Sequence, residues 1–140
     1  MVFQVKHIDF YGQFEKWKEK ESNADLEGVY RVFLVDSDGK TKSIQRFGGE
    51  DSTGTLYYGK STDLASRLGK LVNLLNDSGP KKGHVMGVRY RKMKRVQELA
   101  PVENLRVEVI IDSNPRAKEI ELLEKYKALF GEQPPLNYQS

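Results

Sequence analysis

The chain has 140 residues, 38% apolar and 31% charged, with a formal net charge of +3 and no cysteine. That length suits one domain of ordinary globular composition, and the absence of cysteine excludes disulfides and thiolate zinc sites. No run approaches the roughly 18 apolar residues that span a bilayer, and MVFQVKHIDF lacks a signal-peptide layout. The expectation is therefore a cytoplasmic protein with no membrane partner.

Residues 10–22 (FYGQFEKWKEKES) set Phe10, Phe14 and Trp17 at helical spacing. They predict a short amphipathic helix within an N-terminal extension of about residues 1–27. Residues 28–36 (GVYRVFLVD) are rich in β-branched and aromatic residues and predict a strand. Asp38-Gly39 signals a hairpin turn, TKSIQRF a second strand, and GGEDSTG a loop, so residues 37–54 read as an inserted hairpin or loop. LYYGK (56–60) predicts another strand. Ser61 or Thr62 then caps a helix with Leu64, Leu68, Leu71 and Leu75 on one stripe.

NDSGPKKG (76–83) predicts a loop, and the basic stretch 84–98 leans to helix after Gly87. LRVEVIID (105–112) alternates as a half-buried strand. Asn114-Pro115 starts a last helix that Gly131 stops. The order of elements predicts a single α+β domain with a small, largely antiparallel sheet flanked by helices.

Several chemistries fail on the residues. Asp36-Ser-Asp38-Gly39 opens like a calcium loop, yet the bidentate acid due eleven residues after Asp36 is Phe47. His7 and His84 are the only histidines, so a multi-histidine metal site is excluded, and no phosphate loop with a following Lys-Ser/Thr occurs.

Three segments remain. The first is Gly28-Val29-Tyr30 at the start of a strand. The second is Tyr57-Tyr58-Gly59-Lys60, followed on a helix by Leu64-Ala65-Ser66-Arg67. The third is Glu119 on the last helix, followed by Pro134-Pro135-Leu136-Asn137. In this order they resemble the GIY-YIG nucleases over roughly residues 28–137. If the tyrosine strands pair, Tyr30 and Tyr57 can share a face, with Gly59 leaving room beside the ring for a phosphate. Arg67 falls on the edge of the leucine stripe, where its planar guanidinium can reach over the sheet. On the last helix Leu122, Leu123, Tyr126 and Phe130 define the buried arc. Glu119 falls near its centre, and Glu121 and Glu124 fall off it, so Glu119 needs a cationic partner or a metal.

The resemblance implies a metal-dependent endonuclease acting on DNA ahead of RNA. It implies one divalent cation, Mg2+ or Mn2+, held by Glu119 as its sole protein ligand. Arg67 would polarise the scissile phosphate, and Tyr30 or Tyr57 would act as base. Tyr57 is the preferred base, because Lys60 nearby can depress a phenol pKa. Asn137 would lie at the nucleic acid.

Two features depart from the family pattern. The 26 residues between Tyr30 and Tyr57 exceed a tight hairpin. Four residues after Arg67, where many members carry His or Tyr, stands Leu71; His84 is the candidate to replace that group, against an ordinary surface loop residue. Between Lys81 and Arg95 lie seven basic residues and no acid: Lys81, Lys82, Arg89, Arg91, Lys92, Lys94 and Arg95. Such a block can contact phosphates or be a solvated face. The alternative to the enzyme is a nucleic-acid-binding module on the same fold that no longer cuts. Specificity would come from the insert, the basic block or a homodimer partner.

Overall fold

The computed structural model describes residues 2–5, 7–20, 26–76 and 84–137. A four-stranded antiparallel sheet carries the domain, in the order β1 (Val2–Gln4), β6 (Leu105–Ile111), β2 (Gly28–Leu34), β5 (Thr55–Ser61). Helices α1 (His7–Lys20), α2 (Leu64–Leu75), α3 (Val85–Lys92), α4 (Lys94–Leu99) and α5 (Pro115–Phe130) surround it. The α+β class and the antiparallel sheet agree with the sequence. Strand β1, which pairs with β6, was not predicted; three residues are too short for a period-2 signal.

Strand β2 is buried on both faces except at Arg31 because it lies between β5 and β6. On one face, Tyr30, Val32 and Leu34 join Leu64, Leu68 and Leu71 of α2 and Leu105 and Val107 of β6 in a single core. The predicted leucine stripe of α2 is buried throughout. On the other face Arg31 bonds Glu108 and Thr55, at 3.2 and 2.9 Å, and α5 packs on β5 and β2.

Helix starts differ from expectation in one place. Asp63, not Ser61 or Thr62, caps α2 by accepting the Ser66 N–H at 3.2 Å, while Ser61 Oγ accepts the Asp63 N–H. A carboxylate at the last position before the helix satisfies an orphan donor directly. Asn114 caps α5 as predicted, and Gly131 ends it in the left-handed region at φ 75°, where a side chain would be strained.

The insert is more ordered than a loop. The Asp38-Gly39 turn forms, with Asp36 Oδ1 accepting the Asp38 and Lys40 N–H groups at 2.9 and 3.0 Å. The chain beyond it returns along the end of β2 only briefly, through a Val35–Thr41 bridge and the Lys42 N–H to Leu34 O at 2.9 Å. Instead β3 (Ile44–Arg46) pairs with β4 (Gly49–Asp51) as a separate ribbon, so part of the predicted GGEDSTG loop is a strand. Ribbon pairing is local, whereas the edge next to β2 is already taken by β5. Among the described residues no helix is long and apolar enough to cross a membrane.

Candidate active site

The antiparallel register of β2 and β5 sets Tyr30 opposite Gly59 and Val32 opposite Tyr57. The two tyrosines therefore share one face on a diagonal, with ring centroids 6.1 Å apart. The space over Gly59 is not left for a phosphate. A Cβ there would stand 2.3 Å from the Tyr30 ring and hydroxyl, so the glycine exists to seat Tyr30. Gly59→Ala should thus destabilise the fold by at least the ~1–3 kcal/mol typical of overpacking, because the fully buried ring has nowhere to move. Chemical denaturation measures this. The double variant Gly59→Ala with Tyr30→Leu should recover stability, and failure to recover would show that another contact makes the glycine necessary.

His84 is not a surface loop residue. It is 2% exposed and caps α3. Its Nε2 bonds Tyr30 Oη, and its ring lies 5.6 Å from that of Tyr57. Nδ1 accepts the Gly87 N–H at 3.4 Å, which leaves the ring proton on Nε2 as donor to Tyr30. Burial, helped by the Arg67 charge, lowers the His84 pKa from its usual 6.5 to about 3, so the ring is neutral at pH 7. Leu71, at the place where a His or Tyr was sought, is fully buried in the core.

Arg67 also hydrogen-bonds Tyr30. The Tyr30 hydroxyl bonds His84, and Arg67 and Tyr57 both act on it. His84, Tyr30 and Tyr57 thus form one packed cluster of rings, with the Tyr30–His84 bond at its buried end.

The two phenols differ in burial. Desolvation pushes the Tyr30 pKa far above its usual value, against the pull of Arg67. Tyr57 is half-buried and also raised by desolvation; Arg67 pulls it down, Glu119 pushes it up, and Arg89 pulls it down. Arg67 is the cation that acts most on Tyr57, followed by Arg89. Lys60 stands an odd number of residues from Tyr57 and so projects from the opposite side of β5.

Lys60 bonds Glu119 instead, at 3.4 Å, with side chains 45% and 18% exposed. Glu119 is therefore the least exposed of the three acids weighed on α5, as its wheel position predicted; the arc around it is only half-covered, with Tyr126 buried and Leu122, Leu123 and Phe130 intermediate. Among the described residues there is no group of three or more His, Cys, Asp or Glu side chains that could hold a metal.

A cavity of about 430 Å³ joins these groups, lined among others by Tyr57, Lys60, Arg67, Glu119 and Asn137. A second cavity of about 580 Å³ adjoins it, sharing Lys60 and Arg67 and adding Ser61, Thr62 and Arg116. Arg116 has no motif around it and was not singled out from sequence.

The C-terminal turn brackets Tyr57. Leu136 N–H bonds Leu56 O at 2.9 Å. The Asn137 carboxamide accepts the Tyr58 N–H at 2.8 Å and donates to Tyr58 O at 2.9 Å. Asn137 thus positions β5, where contact with nucleic acid had been implied. Arg89 Nη1 in turn bonds Leu136 O at 2.9 Å, tying α3 to this turn.

The basic block is not one face. Lys81 and Lys82 lie outside the described residues. Arg89 belongs to the site. Arg91 lines a separate cavity of about 660 Å³ with Leu74, Tyr90 and Gln97. Lys92, Lys94 and Arg95 are exposed, with Arg95 paired to Glu98 at 3.1 Å. Comparison with family models, with characterised proteins and with solved structures finds no match to this chain.

Proposed function

We propose that the protein is a divalent-metal-dependent endonuclease of the GIY-YIG type that hydrolyses phosphodiester bonds in DNA. One observation carries this reading. Tyr57, Arg67 and Glu119, drawn from β5, α2 and α5, line one polar cavity, and Tyr30 of β2 and His84 at the start of α3 lie buried behind it against Tyr57.

The residues divide the work. Arg67 lies beside the Tyr57 oxygen and lines the cavity, where its fork suits a phosphate gaining negative charge. Tyr57 is the base that takes a proton from the attacking water. Its ionised oxygen would accept the Tyr30 hydroxyl bond and face Arg67 and Arg89, whereas ionising Tyr30 would bury a charge. His84, neutral, donates to Tyr30 and holds its ring against Tyr57.

A lone carboxylate at a polar cavity fits Mg2+ or Mn2+, which keep most of their waters, and Glu119 would hold the ion. Such a cation supplies positive charge that polarises a phosphoryl oxygen. The Lys60–Glu119 ion pair favours the second reading, a binding module that does not cut, because it already neutralises the acid. Plasmid DNA incubated with purified protein and Mg2+ separates the two. Nicked or linear products that EDTA abolishes are expected; tight DNA binding with no cleavage would support the module.

The exposed part of the basic block should contact the phosphate backbone. Neutralising Lys92, Lys94 and Arg95 together should lower the slope of log K against log salt by about 0.9 per lost contact on duplex DNA. An unchanged slope would mark these residues as a solvated face.

A further inference from the structure

The β3–β4 ribbon holds Phe47 at its tip, 89% exposed. An aromatic ring left in water gives up the gain of burial, and nothing local forces that position unless the ribbon is fixed. It is fixed from several sides. Arg46 Nη2 bonds Gln133 O at 2.6 Å and Glu132 at 3.2 Å. The Phe47 N–H bonds Glu132 Oε1 at 2.9 Å. Gly48 N–H bonds Phe130 O at 2.7 Å, and a Cβ on Gly48 would overlap the Phe130 backbone at 2.8 Å. At the far end of β4 the buried Asp51 accepts the Tyr126 hydroxyl at 2.9 Å.

The ribbon also joins the catalytic cavity. Gln133, whose carbonyl holds Arg46, lines that cavity beside Glu119 and Tyr57. From Lys40 to Gly49 the insert carries Lys40, Lys42 and Arg46 and no acid, and both lysines are exposed. A rigidly presented aromatic on a ribbon with two exposed lysines matches a nucleic-acid strand, whose bases offer π-faces and whose backbone offers phosphates.

We propose that the inserted ribbon is a nucleic-acid-contacting arm in which Phe47 stacks on an unpaired or unstacked base next to the cavity, while Lys40 and Lys42 meet the flanking phosphates. The proposal rests on the nuclease reading above and adds that the bound DNA has a locally opened base near the cut. Single-stranded oligonucleotides carrying 2-aminopurine at successive positions provide the probe, bound in EDTA so that they stay intact.

Wild-type protein is expected to change the 2-aminopurine fluorescence at one or two positions. Phe47→Ala should remove that change and weaken binding by about 5- to 150-fold, the range typical of one stacked base. Phe47→Trp should keep both. The substituted side chain is exposed, so thermal melting should stay unchanged and confirms that the variants fold. Equal affinity and equal fluorescence response in Phe47→Ala would overturn the arm. A change of oligomeric state by light scattering, with DNA binding unaltered, would overturn it in favour of self-association. No oligonucleotide binding by the wild type would instead remove the nuclease reading on which the arm rests.

Discussion

Glu119→Gln should reduce cleavage by at least about 10²–10³, comparable to the loss of one charge-stabilising group in an active site, with DNA affinity within a few-fold of wild type. The side chain is 18% exposed, lines the cavity shared by Tyr57 and Arg67, and is the only acid lining it among the described residues. The substitution keeps the size and removes the charge. Its structural cost should be small, because ion pairs with an exposed partner such as Lys60 are worth about 0–1 kcal/mol. Lys60→Ala separates the roles. If Glu119 serves only to hold Lys60, the two variants lose activity alike. If Glu119 holds a cation, Lys60→Ala is the milder change and Glu119→Gln alone shifts the Mg2+ dependence. Single-turnover cleavage across a Mg2+ titration is the measurement, and a near-normal rate for Glu119→Gln would remove the metal from the proposed mechanism.

Arg67→Lys should cost about 10²–10³ in rate, since an ammonium lacks the planar fork that serves both Tyr30 and a phosphate. The tyrosines should separate by kind of defect. Tyr57→Phe should lose most of the cleavage while melting stays near wild type, because the half-buried hydroxyl faces the cavity. Tyr30→Phe should lower stability by about 1–3 kcal/mol, because it leaves the buried His84 Nε2–H without its acceptor. Its rate should fall less than that of Tyr57→Phe.

The pH dependence follows from the raised Tyr57 pKa. The active form is the ionised one, so the rate should climb as pH rises from 7 to 9, still below that pKa. The climb should vanish in Tyr57→Phe. His84 contributes no break between pH 5 and 8, as it is neutral throughout. Equal rates for Tyr57→Phe and wild type would refute the assignment of the base even with the fold intact.

Much of this was legible in the chain itself, for a local reason. The leucine stripe of α2, the alternation of β6, the Asn114 cap and the Gly131 stop are short-range patterns, and each formed where it was read. Glu119 could be told from Glu121 and Glu124 because about 100° per residue places it alone toward the buried arc.

What only the tertiary structure decided depends on which distant segments meet. His84 has no periodic partner in its own segment; it becomes part of the site because α3 packs on α2 and brings its first turn onto Tyr30. Gly59 read as open space, and only the cross-strand register shows that Tyr30 fills it. Lys60 adjoins Tyr57 in sequence but reaches Glu119, because alternation along β5 separates near neighbours onto opposite faces. Arg89 read as one member of a basic run, and the C-terminal turn that it holds lies far along the chain. The residue types of the site were visible in one dimension, whereas which of them touch one another came from strand register and helix packing, which no local pattern encodes.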